Sequence, residues 1–273
     1  MSHVQVAALL PAWAAASGNG EGFIPPAPAD FWHPLFGTSG EWAFTRPMLV
    51  SLCVTALVSL FLWFATRRAS AVPTKSQFML EYVYDFVRNG VGRDMIGARD
   101  FRQFVPLLFA LFMFIWVNNL AGVIPPFQNP TTARIGFPIA LTLVVYLTYH
   151  FVGVRKHGFG GYFKSLVPSG LPAWIVPAIF VLEFITKFIT QPLTLTLRLF
   201  GNMFAGHMLL VLFILGGEFL LFSGTAFNAI AGVGSFAMAI IFTLFEVLIQ
   251  SLQAYVFTLL TASYIHSAIA DEH

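Results

Sequence analysis

The chain alternates long apolar runs with short polar ones, and the length of each run predicts how it meets a membrane. Three runs have about the twenty residues that a hydrocarbon core of about 30 Å requires of a helix. They cover residues 47–66, 103–125 and 136–154. Between the first two runs, over residues 73–94, apolar residues recur at helical spacing beside charged ones, which predicts an amphipathic helix in the membrane interface.

The last two apolar runs are longer, and they cover residues 171–216 and 228–268. As helices they would be roughly 60–70 Å long at 1.5 Å per residue, about twice the hydrocarbon thickness. Each run is therefore either two short spans or one strongly tilted or bent helix. Because only Pro192 interrupts them midway, we expect two long tilted helices joined near residues 223–228.

These patterns predict an all-α, polytopic integral membrane protein with about five embedded helices. We expect one membrane domain over residues 46–273, preceded by an extracytoplasmic tail at 1–45 that is rich in proline and aromatic residues. The first residues of the tail resemble a signal peptide weakly. No Lys or Arg precedes the short apolar stretch, and Pro11 interrupts it.

Composition narrows the classes of function. Of 273 residues, 58% are hydrophobic and 10% are charged, against about 25% charged in soluble domains. The net charge is only +2 and the charged residues are scattered, so the sequence gives no reason to expect a nucleic-acid partner. A single cysteine excludes a disulfide framework and a thiolate metal cluster, and the phosphate-loop and helical zinc motifs are absent. We therefore expect no cofactor and no nucleotide chemistry in this chain.

Basic residues indicate the topology. They are concentrated between the first two runs and after the third, while residues 126–135 hold only Arg134. The positive-inside rule then places the N-terminus outside and the C-terminus in the cytoplasm. The basic residues used are Arg67, Arg68, Lys75, Arg88, Arg93, Arg99, Arg102, Arg155, Lys156 and Lys164.

A polar stripe marks the first long helix. On a wheel of 100° per residue, six polar residues share a sector about 100° wide. A central arginine costs about 2.5–3.5 kcal/mol in a membrane helix, so the stripe must face protein, water or a partner. Arg198 is either a fixed positive charge, because guanidinium stays protonated, or a snorkelling or ion-paired structural residue. The stripe comprises Glu183, Lys187, Gln191, Thr194, Arg198 and Asn202.

Polar residues of the last helix match those of the first long helix by depth. Glu246, Gln250 and Gln253 share one face, and in an antiparallel hairpin they would lie level with polar residues of the preceding helix about a turn centred near residue 226. The expected pairs are His207 with Glu246, Asn202 with Gln250, and Arg198 with Gln253.

Each member of this set has two interpretations. His207 and Glu246 are either a buried hydrogen-bonded pair or a titratable proton relay. Gln250 and Gln253 either join the helices by hydrogen bonds or line a channel. Glu183 and Lys187 are spaced for a structural i, i+4 salt bridge.

Two segments resemble a known family. PLTLTLRLFGNMFAGH at 192–207 and EVLIQSLQAYVFTLLTASYI at 246–265, with the closing ADEH, are similar to subunit a of the bacterial F-type ATP synthase. The similarity extends from about residue 45 to the C-terminus. It implies a non-catalytic proton-channel subunit of the cell membrane, whose two long helices lie against a ring of c subunits. Two offset half-channels then connect the ring carboxylates to opposite sides.

The resemblance also implies roles and partners. Arg198 is the electrostatic gate, with Asn202 and Gln253 as polar neighbours. His207 and Glu246 are the outer half-channel pair, although a familiar bacterial pattern has Glu first and His second. Glu183 lines the inner half-channel, where the alignment is offset by about one residue. The implied partners are the c-ring, subunit b of the peripheral stalk, the rest of the ATP synthase complex and membrane lipid.

Two other classes of function compete with this interpretation. A stand-alone ion-coupled secondary transporter or ion channel would also place charges within helices, but such transporters often show inverted repeats and broken helices, which are not evident here. A membrane-embedded enzyme would place its carboxylates or histidines at an interfacial cleft, whereas these lie within helices.

Overall fold

The computed structural model describes residues 34–36, 44–67, 74–123, 131–167, 172, 174–222 and 225–270. Most of the predicted tail, Arg68, residues 124–130, part of the predicted joining segment and residues 271–273 lie outside them. The described elements are strands β1 (Pro34–Phe36) and β2 (Phe44–Thr45), helices α1 (Arg46–Arg67), α2 (Lys75–Asp85, continued by a π-helical Phe86–Arg93 and a last turn Asp94–Ile96), α3 (Val105–Val123), α4 (Gly136–Lys164), α5 (Val176–Ile185, a π-helical Thr186–Thr190 and Gln191–Phe222) and α6 (Ala226–Ile269), and the 3-10 turns Phe101–Gln103 and Thr131–Ala133.

Helices dominate, and the chain is a multi-pass membrane protein. Within the described residues, five helices are long and apolar enough to cross a membrane. The two short strands pair only with each other, in an antiparallel ribbon before α1. The all-α prediction is therefore confirmed. The boundaries agree within about two residues for α1 and α3, while α4 continues to Lys164 past a break at Gly158, where φ is 73°.

The long apolar runs form single long helices, as predicted. α5 covers 47 residues and α6 covers 44. The connection between them lies between Phe222 and Ala226, where the sequence places the turn. At 1.5 Å per residue each helix is roughly 65–70 Å long, so an upright helix would extend well beyond a hydrocarbon core of about 30 Å.

Pro192 produces the one deviation from regular helix within α5. Proline has no amide hydrogen, and its ring clashes with the carbonyl four residues earlier. The turn before it, Thr186–Thr190, is π-helical, and the amide of Gln191 donates to the Thr186 carbonyl. The Lys187 carbonyl therefore loses its usual donor. The Tyr149 hydroxyl of α4 replaces that donor with a hydrogen bond of 2.8 Å.

A single apolar core joins α2, α3 and α4 to the α5–α6 hairpin. Its fully buried members include Leu108 and Ile115 from α3, Leu199 from α5, and Phe257 and Ile265 from α6. α1 packs at the edge, with only 11% of its span buried within the chain. The hairpin thus forms one wall of the core, and its opposite face is left uncovered by the rest of the described chain.

Small residues allow α5 and α6 to approach closely near their connection. A Cβ atom placed on Gly232 would lie 2.9 Å from the Gly217 carbonyl oxygen and 2.9 Å from Cγ of Leu221. The opposing Gly217 is also crowded, since a Cβ there would lie 3.1 Å from the Phe236 ring. The backbones of the two helices therefore touch at this point, as small residues permit in membrane helix pairs.

Replacing Gly232 tests this contact. We expect Gly232→Ala to destabilise the protein by about 1–3 kcal/mol, because overpacking forces the backbones apart. The melting temperature of the purified protein in detergent measures this effect. Gly234→Ala is the matched control, since its added Cβ meets nothing within 4 Å and alanine is the better helix former. Equal melting temperatures for the two variants would contradict the close approach.

Candidate functional site

Arg198 lies near the middle of α5 with its side chain exposed. Thr194 and Asn202, one turn before and one turn after it, are exposed on the same face. Their exposed neighbours Leu193 and Leu197 are apolar. Among the described residues Arg198 forms no ion pair and no hydrogen bond. The chain therefore presents a cation on an otherwise apolar helix face.

One residue of α6 lies within electrostatic reach of this cation. Tyr264 interacts with the Arg198 guanidinium through space, and its hydroxyl lies near the Thr194 side chain. Thr194 in turn donates to the Thr190 carbonyl at 2.7 Å. The phenol therefore borders the exposed stripe and bridges α6 to α5. Sequence reasoning did not assign a role to Tyr264, although helical spacing places it on the face of Glu246.

Asn202 is held by α6. Its Nδ2 donates to the Gln253 Oε1 at 2.8 Å. Gln253 is buried, with only 3% of its surface exposed. The expected partner of Asn202 was Gln250, so that pairing is wrong by one helical turn. Gln250 is fully buried and donates from Nε2 to the Met203 Sδ instead. These contacts preserve the antiparallel register predicted for the hairpin, while changing its individual pairs.

Glu246 and His207 are both buried, with 4% of each exposed. Glu246 of α6 lies against Gly206, the residue before His207, where an added Cβ would come within 3.1 Å of Oε1. Gln250, one turn along α6, interacts with the carboxylate. Neither carboxylate oxygen, however, has a hydrogen bond of standard geometry to any described residue. The absence of a side chain at Gly206 therefore provides the room that the Glu246 carboxylate occupies.

The prediction of a salt bridge between Glu183 and Lys187, in the first part of α5, is wrong. Within the described part of the chain, neither Glu183 nor Lys187 forms an ion pair. The prediction assumed regular α-helical spacing, but the π-helical turn Thr186–Thr190 contains Lys187. Its wider turn changes the angle between the two side chains. Both are partly buried, as is Gln191, so the predicted six-residue stripe divides into a shielded half and an exposed half.

A second group of buried polar residues lies near the C-terminal end of α3. Asn118 and Asn119 are 1% and 0% exposed, and Thr132 of the 3-10 turn donates to the Asn119 Oδ1 at 2.7 Å. The Asn118 amide donates to the Phe114 carbonyl at 2.9 Å. Both asparagines lie near the end of the apolar run at residues 103–125. The sequence did not predict the role of Thr132, because the residues between Asn119 and Thr132 carry no periodic pattern that would indicate their contact.

The two faces of the hairpin therefore differ in chemistry. The inner face holds Glu246, Gln250 and Gln253 within protein, and the outer face presents Arg198. Ionisable groups inside a membrane are expensive and mark ion or proton pathways. No group of three histidine, cysteine or acidic side chains among the described residues could hold a metal. The arrangement is suited to moving protons past a fixed positive charge.

Comparison with known proteins gives one consistent family. The family model described as ATP synthase A chain matches residues 48–266. A relative named ATP synthase subunit a, from Nocardioides sp., is 43% identical over 268 residues, which cover 94% of this chain and 97% of the relative. ATP synthase subunit a of Streptomyces lividans is 40% identical over 258 residues, covering 93% and 91%. The matched residues include every predicted site residue.

The bond between Asn202 and Gln253 can be tested by a double-mutant cycle. We expect Asn202→Ala alone to cost about 1–3 kcal/mol, since it leaves the buried Gln253 oxygen without its donor. The double variant Asn202→Ala with Gln253→Leu should cost less than the sum of the single changes, with a coupling energy of about 0.5–3 kcal/mol. Melting temperatures in detergent measure all four proteins. Strictly additive losses would show that the bond does not form.

Proposed function

The chain belongs to the ATP synthase A chain family, and we propose that it is the proton-translocating stator subunit of an F-type ATP synthase. In this role it contacts a ring of c subunits and provides an outer and an inner half-channel to the ring. Subunit b of the peripheral stalk and the rest of the complex hold it in place. We further propose that it works in a bacterial cell membrane, with its N-terminus outside and its C-terminus in the cytoplasm.

The exposed Arg198 is the observation that carries this proposal. Guanidinium does not deprotonate at physiological pH, and a charge facing hydrocarbon is costly. Because no described residue neutralises Arg198, a partner subunit with a negative charge would provide the compensation. A carboxylate presented by a neighbouring ring satisfies this requirement, since it brings its charge to the exposed face of α5.

Such a pair would operate as an electrostatic gate. A nearby cation favours the ionised form of a carboxyl group, so a protonated ring carboxyl that reaches Arg198 releases its proton. The ionised carboxylate remains stable only beside that charge. It must take up a proton from the other half-channel before it enters lipid. Direct passage of protons between the half-channels is opposed by the positive charge of Arg198.

Buried or partly buried polar residues on either side of Arg198 support the two half-channels. His207, Glu246 and Gln250 form a buried group toward the connection between α5 and α6, and we assign them to the outer half-channel. Glu183, on the other side of the π-helical turn, is assigned to the inner half-channel. Asn202 and Gln253 lie between these groups and hold α5 to α6 beside the arginine.

Energy conversion would then take place outside this chain. Each proton that crosses 100 mV delivers about 2.3 kcal/mol, and rotation of the ring would transmit it to the catalytic part of the complex. The proposed role of this chain is therefore non-catalytic. It directs protons so that their passage requires the ring to turn.

Replacing Arg198 tests the gate. We expect Arg198→Ala to abolish ATP-driven proton pumping in vesicles that contain the assembled complex, because the ring carboxylate loses its counter-charge. Arg198→Lys keeps a positive charge but loses the planar, bidentate geometry of guanidinium, so pumping should stay strongly reduced. Arg93→Ala is the control, since Arg93 is an exposed arginine of α2.

Either of two results would contradict the proposal. Pumping at the native rate by Arg198→Ala would make the arginine structural. Ion transport by the purified chain alone, at the rate of the complex, would favour the stand-alone transporter or channel. Co-purification of a ring of small hairpin subunits, independent of pumping, separates these interpretations.

Glu246 provides a second test, of the outer half-channel. We expect Glu246→Gln to lower pumping about tenfold or more, since it keeps the side-chain volume but removes a proton-transfer group. Pumping in vesicles, normalised to the amount of assembled complex, measures the effect. Asp94→Asn is the control, because Asp94 is an exposed carboxylate on α2. Native pumping by Glu246→Gln would exclude Glu246 from the proton path.

A further inference from the structure

A polar cavity of about 300 Å³ lies between the ends of α2 and α6 and Lys156 of α4, and Arg198 is not among its lining residues. The proposed proton path uses none of its residues. Three of the lining side chains are basic and one is acidic. The lining residues are Ile96, Arg99, Asp100, Lys156, His266, Ile269 and Ala270.

Backbone geometry brings these distant residues together. Gly97, at a φ of 97°, ends α2 and redirects the chain, so that Arg99 and Asp100 come to lie at the C-terminal end of α6. The His266 Nδ1 donates to the Ile96 carbonyl at 3.4 Å, which attaches α6 to the last turn of α2. Lys156 of α4 donates to the Ile269 carbonyl at 2.5 Å.

Arg99 distinguishes this cavity from a simple helix cap. Lys156 bonds a terminal carbonyl of α6, where a cation is favoured by the helix dipole. Arg99 has no such role, because within the described residues it forms no hydrogen bond and no ion pair. The adjacent Asp100, which also lines the cavity, forms no ion pair with it. Among the described residues the cavity therefore holds a guanidinium without an ion-pair partner together with an ammonium group, which is an arrangement suited to bind an anion.

The position of the cavity indicates which anion. It lies at the end of α6 and beside Lys156, which follows the apolar run at residues 136–154. The ends of apolar runs meet the headgroup region of a bilayer. α2 leads into it with the exposed apolar side chains Phe78, Met79 and Tyr82, which suit a helix lying in the membrane interface. Lipid phosphates are the anions concentrated at this depth.

We propose that the cavity binds the phosphate group of one anionic phospholipid, with Arg99 and Lys156 as its main ligands. Guanidinium bonds phosphate oxygens in a bidentate manner, and ammonium adds a point charge. The His266 ring and the backbone near Ala270 line the remaining space for the headgroup. A bound lipid would add a link between α2, α4 and the end of α6, which also pack together in the apolar core. This proposal does not depend on the role of Arg198.

Native mass spectrometry of the complex tests the site. The complex is purified in mild detergent and titrated with phosphatidylglycerol or, for comparison, phosphatidylcholine. We expect Arg99→Gln and Lys156→Gln each to weaken phosphatidylglycerol binding about fivefold, and the double variant to weaken it about 25-fold. The fivefold change corresponds to the attraction that one basic residue has for anionic lipid at a membrane surface. Phosphatidylcholine binding should stay unchanged. Arg102→Gln is the matched control, since it removes an exposed charge three residues from Arg99 that does not line the cavity.

Three outcomes would overturn the proposal. An equal loss of binding with Arg102→Gln would mean that the anionic lipid follows general surface charge. Displacement of phosphatidylglycerol by inorganic phosphate alone, with phosphate then retained by the native chain and lost from the double variant, would identify a site for free phosphate. Unchanged lipid binding by the double variant, together with loss of another subunit from the complex, would identify a protein contact.

Discussion

The close antiparallel packing of α5 on α6 is the constraint on which the rest of the structure depends. Contact between Gly217 and Gly232 brings the backbones together at one end, and the Glu246 carboxylate occupies the space beside Gly206 farther along. Polar groups on the sides of α5 and α6 that face each other lie within protein. Arg198 lies outside this α5–α6 interface and has no counter-charge among the described residues. One packing arrangement thus determines which polar groups the chain satisfies itself and which require a neighbour.

Much of this arrangement can be predicted from residues alone. The lengths of the apolar runs predicted five embedded helices, because hydrocarbon thickness limits a span whatever its detailed sequence. The absence of a polar or Gly/Pro-rich break predicted that the two last runs are single helices, now observed as Val176–Phe222 and Ala226–Ile269. Polar residues within these helices also located the connection. Each of these inferences rests on a constraint that acts along the whole helix.

Details that depend on local geometry could not be predicted in the same way. Matching residues by depth assumes that helix axes are parallel and straight, and it paired Asn202 with Gln250, whereas the bond is to Gln253. A wheel of constant step predicted a Glu183–Lys187 pair that the π-helical turn does not allow. Contacts between residues far apart in sequence, such as His266 with the Ile96 carbonyl, leave no periodic pattern to recognise.

The wide turn before Pro192 also sets the rotation between the two parts of α5. Adding one residue to a helical turn rotates everything on one side by about 100° relative to the other. Since proline cannot donate a backbone hydrogen bond, no side-chain replacement elsewhere on α5 restores the regular spacing. The face that carries Glu183 is therefore offset from the face that carries Arg198 by this extra residue. A change that removed the wide turn would rotate Arg198 about the helix axis, relative to Glu183, by about 100°.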